Sequence, residues 1–211
     1  MRLRNIAGSR ERIAESEFTI DVPEDHKGKW NEVFGNDNPI RIEVGTGKGR
    51  FIMDLAEANP DVNYVGIEKY SSVLLRAVQK QTERQLSNVR FIRMEAEIIT
   101  EVFEEGEVDR IYLNFSDPWT RQNKPKRRLT YRDFLNKYKV MMREGGAIEF
   151  KTDNDDLFDF SLNEFKETGF TLEDVTRDLH NSEWNEENIR TEFEQKFADQ
   201  GITIKRVVAK M

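Results

Sequence analysis

Short apolar strand patterns alternate with helical patterns along most of the chain. Five stretches predict buried strands, at 40–45, 62–68, 89–94, 108–115 and 147–152. Between them apolar residues recur at helical spacing, and helix ends are marked by Asn59-Pro60, Gly145-Gly146 and Gly169. Two more strands, at 170–179 and 202–210, could close as an antiparallel pair. The order predicts an α/β fold with a doubly wound, mainly parallel seven-stranded sheet and an antiparallel last strand.

The chain of 211 residues is long enough for one compact domain with a full core. Residues 1–35 lack clear periodicity and predict an arm or a short leading helix, and 36–211 predict a single domain. Ser71 or Ser72 is the expected N-cap of the helix after the second strand. A last short helix is expected around Ile189, Phe193 and Phe197, with Phe193 in its core stripe and Thr191 and Glu194 left on the surface.

Composition excludes several chemistries. The chain contains no cysteine, so it has no disulfide, thiolate zinc site, iron–sulfur cluster or cysteine nucleophile. Its two histidines have no ligand-spaced neighbours, so no metal site is expected. No apolar run approaches the roughly eighteen residues of a membrane span, and no apolar segment follows the basic N-terminus as in a secretory signal. We therefore expect a cytoplasmic protein with no membrane partner.

Basic residues are clustered although the net charge is −7. One cluster occupies the first twelve residues, and the second consists of Arg121, Lys124, Lys126, Arg127, Arg128 and Arg132. The segment 153–199 is strongly acidic. A locally basic strip on an acidic body favours a specific nucleic-acid partner over indiscriminate binding. A solvated charged face is the alternative interpretation of the second cluster, but its position after the fourth strand favours contact with phosphates.

The first strand ends in a glycine-rich loop, E-V-G-T-G-K-G, which contains Glu43, Gly45, Gly47 and Gly49. A phosphate-binding loop would need Ser or Thr after the lysine, and a dinucleotide site would need glycine where Arg50 stands. The pattern resembles the first motif of class I methyltransferases, which bind S-adenosylmethionine. An acid beside the glycines suits that cationic cofactor better than it suits a pyrophosphate.

Acids also end the next strands. Glu68 follows the second strand and could accept hydrogen bonds from both ribose hydroxyls. Glu95 follows the third and could bind the adenine amino group, with Ala96 beside the ring. For each glutamate, a solvated surface charge is the alternative.

Asp117-Pro118-Trp119 follows the fourth strand. It resembles the motif with which amino methyltransferases hold a flipped base, although the second proline of that motif is missing. A turn and a core tryptophan are the alternatives. Guanine N7 carries a free lone pair, so methylating it requires positioning more than a general base. Asp117 and Asp153 are candidates to accept the N–H groups of guanine, but Asp153 could instead cap the following helix.

Taken together, these blocks closely resemble the bacterial tRNA (guanine-N7-)-methyltransferases. The resemblance extends from I-E-V-G-T-G-K-G-R-F through Y-L-N-F-S-D-P-W, K-R-R-L-T-Y, F-K-T-D-N and D-L-H-N-S to T-E-F-E-Q-K-F. It implies a Rossmann-like class I methyltransferase fold, S-adenosylmethionine as cofactor with S-adenosylhomocysteine as product, and tRNA as partner, methylated at a variable-loop guanosine.

The resemblance also implies residue roles. It makes Glu43, Glu68, Glu95 and Asp117 acids of the cofactor pocket, with Asp117 also catalytic. Substrate-pocket positions are Arg121, Asp153, Thr191, Glu192, Phe193 and Glu194. The RNA-contacting loop is Asn123, Lys124, Pro125, Lys126, Arg127 and Arg128.

One loop departs from the family pattern. Where the family typically has Pro-Lys-Lys-Arg-His after the tryptophan, this chain has Thr120-Arg121-Gln122-Asn123. Arg121 keeps the charge at the lysine position but differs from lysine in geometry.

Two rival hypotheses remain: a methyltransferase of a small molecule or an exocyclic base nitrogen, and a non-catalytic RNA-binding module. Either a monomer or a homodimer is compatible with the sequence.

Overall fold

The computed structural model describes residues 6–120 and 124–211. Within them one mixed sheet forms the centre of the molecule, in the strand order β1-β4-β3-β2-β5-β6-β8-β7. The strands are β1 Thr19–Ile20, β2 Ile40–Val44, β3 Asn63–Ile67, β4 Val89–Ile92, β5 Val108–Asn114, β6 Met142–Thr152, β7 Thr171–Thr176 and β8 Lys205–Lys210.

Helices connect most of the strands. They are α1 Ser9–Ala14, α2 Trp30–Phe34, α3 Arg50–Ala58, α4 Ser71–Arg84, α5 Ile99–Val102, α6 Arg132–Met141, α7 Asp155–Glu167 and α8 Glu192–Ala198. No helix among the described residues is long and apolar enough to cross a membrane.

The sheet confirms the α/β class and the doubly wound, mainly parallel arrangement. Strands β1 to β6 pair in parallel, and β8 is antiparallel to both β6 and β7. The described chain forms eight strands where the sequence predicts seven. The additional strand is β1, whose two residues pair with Phe91 and Ile92 of β4. Two residues are too few to carry an alternating apolar pattern, so periodicity cannot reveal this strand.

Each face of the sheet carries its own apolar core. On one face Trp30 is fully buried, stacks on Phe103 at 5.2 Å and donates from Nε1 to the carbonyl of Val102 at 3.0 Å. On the other face Phe51 of α3 meets Tyr112 of β5 edge-on at 5.3 Å. Because helices cover both faces, the parallel strands are almost wholly buried and read as apolar runs in the sequence.

Helix boundaries agree with some of the expected signals and contradict others. The helix α3 ends at Ala58, directly before Asn59-Pro60, as predicted. The N-cap of α4 is Tyr70, so the prediction of Ser71 or Ser72 is wrong. The Ser72 hydroxyl does not cap the helix because its Oγ accepts from the backbone N–H of Ile6. The cap of α7 is Asn154, whose side chain accepts from Leu157 N at 2.7 Å, and not Asp153.

The strand order places a switch point at the centre of the sheet. The chain runs outward from β2 through β3 to β4, and then returns to β5 on the other side of β2. The loops that leave β2 and β5 therefore separate toward opposite faces at the carboxyl edge. Ligands of doubly wound sheets bind in the crevice that this reversal creates.

Candidate active site

A cleft of about 610 Å³ lies at this switch point. Its walls come from the segments that follow β2, β3, β4 and β5, together with the 3-10 turn at Pro125–Arg127. The lining residues include Gly45, Glu68, Tyr70, Glu95, Ala96, Asn114, Ser116, Asp117, Trp119 and Arg127. The structure thus brings the glycine loop and the Asp-Pro-Trp segment to one cavity.

The glycine loop needs glycine for two different reasons. Gly45 and Gly47 have φ angles of 84° and 59°, and a Cβ at either would meet no atom within 4 Å. At Gly49, with φ of 75°, a Cβ would lie 2.8 Å from the Cβ of Ala77. The last glycine therefore permits close packing of α3 on α4, while the first two leave open space in front of the loop.

Glu68 fastens the glycine loop to the end of β3. Its Oε2 accepts from Gly47 N at 3.2 Å, and its Oε1 accepts from Tyr70 N at 2.9 Å. Burial raises the pKa of this carboxyl, although the backbone hydrogen bonds lower it. Each oxygen retains acceptor capacity toward the cleft, as the prediction of ribose binding requires.

Glu43 lies beneath the loop rather than on the cleft wall. Its side chain is buried, with Oε2 accepting from Thr46 Oγ1 at 2.6 Å and Oε1 from Asn114 Nδ2 at 2.9 Å. Burial raises the pKa of Glu43 to about 7, while the hydrogen bonds from Thr46 and Asn114 act in the opposite direction. Glu43 thereby links the glycine loop to the end of β5 and can act on a cofactor through its charge and through these bonds.

The far end of the cleft is more exposed. The Glu95 side chain is 63% exposed, and Lys69 Nζ lies 3.8 Å from Oε2 of Glu95. Ala96 and Tyr70 line the cleft beside it, and the Tyr70 ring is 5.0 Å from Lys69 Nζ. A flat aromatic group could be held here between apolar and polar walls.

The segment after β5 has an unusual backbone. Phe115 and Trp119 have φ angles of 52° and 50°, a region that side-chain-bearing residues rarely occupy. Between them Asp117 is exposed and lines the cleft. Such outliers persist where the surroundings impose them, and they cluster at active sites.

Two arginines hold this segment from outside. Arg128 Nε donates to the carbonyl of Pro118 at 2.9 Å, and the Arg127 guanidinium lies 4.9 Å from the centre of the Trp119 ring. Lys124, Lys126 and Arg127 are all exposed, and of these three only Arg127 also lines the cleft. The predicted RNA loop is therefore packed against the Asp-Pro-Trp segment, with two lysines pointing to solvent. Arg121 and Asn123 lie outside the described residues, as do Arg2 and Arg4 at the N-terminus.

Asp153 lies close to this segment by register. Asn114 at the end of β5 pairs with Lys151 of β6, so Asp117 and Asp153 both follow the same edge of adjacent strands. The carbonyl of Asp153 accepts from Lys205 Nζ at 2.9 Å. Its carboxylate makes no hydrogen bond or ion pair with any residue in the described parts of the chain. Because Asn154 caps α7, this carboxylate is free to bind a ligand.

The block 191–194 differs from what periodicity predicts. Phe193 is 52% exposed rather than in the core, and both Thr191 and Glu194 are buried rather than on the surface. The reason is a capping box, in which Thr191 Oγ1 accepts from Glu194 N and the Glu194 carboxylate accepts from Thr191 N. This arrangement turns Glu194 inward, where it meets Lys151, so the exposed side of the helix falls on Phe193.

Glu192 connects the start of α8 to the glycine loop. Its carboxylate pairs with Lys80 of α4, and Lys48 Nζ lies 3.4 Å from Oε2. Burial raises the pKa of Glu192, but the two lysines outweigh that effect and hold it below its usual value. Glu192 is therefore engaged in ion pairs within the protein, while Phe193 is available at the surface.

Several residues at the cleft escape inference from sequence. Tyr70, Asn114 and Ser116 line it although no motif singles them out. Their signal is positional, since each lies at the end of a strand, close to an acid that the motifs do identify. Lys151 belongs to the block F-K-T-D-N, but nothing in the sequence indicates that it is buried, because a lysine is expected at the surface.

Two buried polar atoms at the cleft have no partner within the described chain. They are Asn114 Oδ1 and Ser116 Oγ, and both residues line the cavity. Buried polar groups without a partner are rare in folded proteins, and these two atoms are available to bond a ligand in the cleft. Among the residues that the structure describes, no group of three or more acidic or histidine side chains is arranged to hold a metal ion.

Known proteins match the chain over its full length. A family model described as "Putative methyltransferase" matches residues 37–207. A tRNA (guanine-N(7)-)-methyltransferase of Lachnoclostridium phytofermentans is 56% identical over 99% of this chain and 98% of that protein. One of Bacillus subtilis is 53% identical over 98% of this chain and 97% of its own length.

Solved structures share the architecture at lower identity. An antibiotic-related methyltransferase superposes with a TM-score of 0.67 and 23% identity, covering 93% of this chain and 98% of its own. A SAM-dependent methyltransferase from Aquifex aeolicus superposes with a TM-score of 0.57 and 15% identity, covering 99% of each chain. These two show the fold, Rossmann-like as the resemblance implies, and the relatives above show the family. The chain belongs to the tRNA (guanine-N7-)-methyltransferase family.

Proposed function

We propose that this protein transfers the methyl group of S-adenosylmethionine to N7 of a guanosine in the variable loop of tRNA, in the cytoplasm. The observation that supports this proposal most directly is that one cleft is lined by both the glycine loop and the Asp-Pro-Trp segment. Methyl transfer between two bound molecules requires that donor and acceptor meet in one place, and this cleft supplies that place. Relatives that are 51–56% identical over almost the whole chain are named tRNA (guanine-N(7)-)-methyltransferases, which supports the guanine N7 of tRNA as acceptor.

The described residues fit the proposed cofactor. Open space in front of Gly45 and Gly47 admits a ligand close to the backbone. Glu68 has acceptor capacity for two hydroxyl groups, and Ala96 and Tyr70 line the cleft together with Glu95, where the adenine ring would lie. The unpartnered oxygens of Asn114 and Ser116 suit the hydrogen-bond donors of an amino acid end. Glu43 adds negative charge beneath the loop when it is ionised. When bound, the cofactor supplies an electrophilic methyl group on a cationic sulfur.

The chain's own residues then position the acceptor. A guanine whose N7 faces the cofactor leaves its Watson–Crick edge free, and that edge presents N–H donors to a carboxylate. We assign this acceptor role to Asp117 and Asp153, which follow adjacent strands at the same edge. Their charge would also stabilise the cationic base that forms on methylation, and no proton has to leave N7.

The substrate would be oriented by charge outside the cleft. Lys124 and Lys126 are exposed on the loop that packs against Trp119. The resemblance makes Asn123 part of the same RNA-contacting loop and Arg121 a substrate-pocket position, and both lie outside the described residues. Phosphate contacts at these side chains would fix the RNA without reading its bases. Phe193, exposed at the start of α8, would contact the base or its neighbour, with Thr191 and Glu194 shaping that helix from inside.

Matched tRNA transcripts test the proposal. One transcript carries guanosine and the other 7-deazaguanosine at the variable-loop position, and both are incubated with purified protein and labelled S-adenosylmethionine. We expect label in the first transcript alone, recovered as N7-methylguanosine. Equal labelling of the two would exclude N7 and would favour an exocyclic nitrogen, while absence of binding to S-adenosylhomocysteine in calorimetry would favour a non-catalytic RNA-binding module.

A further inference from the structure

A buried lysine lies on β6, the strand next to the one that leads into the Asp-Pro-Trp segment. Lys151 lies in β6 with a fully buried side chain. Its Nζ donates to Glu194 Oε2 at 2.9 Å, to Asn188 Oδ1 at 3.0 Å and to the carbonyl of Ile189 at 3.0 Å. An ammonium has three N–H donors, so all of them are used within the protein. Lys151 therefore has no donor left with which to bind a substrate.

Glu194 is saturated in the same way. Its side chain is fully buried and receives, besides Lys151, Asn188 Nδ2 at 2.6 Å and Thr191 N at 3.4 Å, with His180 Nε2 at 3.0 Å. Burial raises the pKa of Glu194, but Lys151 and these hydrogen bonds outweigh it and lower the pKa. The carboxylate is thus ionised and enclosed, and its contacts tie the segment 180–194 to the sheet.

The main chain of Lys151 contacts the segment 114–120, which contains Asp117. Its carbonyl accepts from Phe115 N at 2.9 Å, and Phe115 is the left-handed residue at which the Asp-Pro-Trp segment begins. The rings of Phe115 and Phe197 lie 5.8 Å apart, so α8 and this segment also touch directly. One residue therefore joins the segment that carries Asp117 to the segment that carries Phe193.

A buried ion pair is a poor means of gaining stability. The free energy needed to remove two charges from water often exceeds the attraction between them, and an apolar pair of the same volume is often at least as stable. The geometry that the pair imposes is therefore the more informative explanation of its presence. Here the geometry joins two loops whose residues approach one substrate. An apolar side chain at position 151 could fill the same volume but could not fix both the direction of Glu194 and the carbonyl of Ile189.

We propose that Lys151 is a positioning residue of methyl transfer, whose pairing with Glu194 sets the placement of α8 relative to the Asp-Pro-Trp segment. The inference rests on the proposed function for its kinetic consequence. Its structural consequence, a coupling between the segments 114–120 and 186–196, is independent of that function. Glu194 then acts through the position of α8 and not by touching the base.

The test compares Lys151→Met, Glu194→Gln and the double variant with the wild type. The double variant leaves no buried charge unpaired, so a purely stabilising pair would give it wild-type kcat once it is folded. We expect instead that its kcat on tRNA stays lower by about 100-fold, as for a misplacement of about 1 Å. It should still bind S-adenosylhomocysteine, because neither side chain lines the cleft. A folded double variant with wild-type kcat would overturn the proposal.

Amide hydrogen exchange provides a readout that does not need activity. In either single variant we expect faster exchange in both 114–120 and 186–196, with the rest of the sheet unchanged. Unchanged exchange in both segments would contradict the coupling even if the enzyme were active. If the wild type failed to make N7-methylguanosine, the proposed function would fail while the exchange result would still decide the role of Lys151.

Arg41→Met is the matched control. Arg41 also forms a partly buried ion pair, with Asp109 at 2.8 Å, but it lies near the start of β2, away from the carboxyl edge. Its replacement should lower stability without changing kcat or the exchange of 114–120. A loss of kcat in this control equal to that in Lys151→Met would show that the kinetic effect reflects general loosening.

Discussion

Glu43→Gln should stabilise the protein at alkaline pH. The Glu43 carboxyl is buried beneath the glycine loop, and burial raises its pKa to about 7 from the ordinary 4.5. In the unfolded chain the carboxyl ionises near 4.5, so between these values the folded state holds a proton that the unfolded state has released. The contribution of Glu43 to the free energy of unfolding therefore falls as pH rises through this window and stays constant above it.

The magnitude follows from the size of the shift. At about 1.4 kcal/mol per pKa unit, a rise from 4.5 to about 7 corresponds to about 3 kcal/mol of lost stability above pH 7. Glutamine has the same shape and no charge, its oxygen can accept from Asn114 Nδ2, and Thr46 Oγ1 can accept from its amide. We therefore expect the free energy of unfolding at pH 8 to rise by as much as about 3 kcal/mol.

Urea unfolding of both proteins between pH 4 and pH 9 measures this difference. The advantage of Glu43→Gln should be largest above pH 7 and should vanish near pH 4.5, where the folded protein holds both side chains neutral. A control substitution, Glu95→Gln, changes an exposed carboxyl and should leave the free energy of unfolding at pH 8 within about 0.5 kcal/mol of the wild type. If Glu43→Gln were less stable than the wild type at pH 8, and its free energy of unfolding varied with pH in the same way, the idea that ionisation of Glu43 destabilises the folded protein would be refuted.

Three further perturbations test other parts of the site. Asp117→Asn should lower kcat by about 100-fold, as for the loss of one group aimed at developing charge; a change below tenfold in single-turnover rates would contradict its role. Replacing Lys124 and Lys126 by Gln should reduce the slope of log affinity for tRNA against log salt by about 1.5, and an unchanged slope in filter binding would exclude phosphate contacts there. Gly49→Ala should lower the free energy of unfolding by about 1–2 kcal/mol because alanine disfavours the left-handed backbone, and further because its Cβ would contact Ala77. A thermal unfolding midpoint equal to that of the wild type would argue against this packing.

The sheet could be predicted because its strands are buried on both faces. Short apolar runs that alternate with helical spacing leave few alternatives to a doubly wound sheet, whereas the order of the strands is seen only in the structure. The exceptions are local. The two-residue strand Thr19–Ile20 has no periodic signal, and the N-cap of α4 is Tyr70 because the serines of that turn bond to Ile6 and Ser9 of the N-terminal segment.

The site could be predicted where a residue type alone limits the chemistry. Gly45 and the acids Glu68, Glu95 and Asp117 line one cleft, whereas Gly47, Gly49 and Asp153 are not among its lining residues and Glu43 lies beneath it. The block 191–194 carries the Thr-x-x-Glu spacing of a capping box, which periodicity alone does not take into account. The inward direction of the Glu194 carboxylate depends in addition on the buried Lys151. Such a choice depends on a partner distant in the chain, which spacing within the helix does not reveal.

A crystal structure with bound S-adenosylhomocysteine tests the central claim most directly. We predict the ligand in the cleft at the switch point, with its ribose hydroxyls on Glu68 and its amino acid end near Gly45 and Asn114, on the same side as Asp117. Density for the ligand at any other surface, or with Asp117 facing away from its sulfur, would contradict the account.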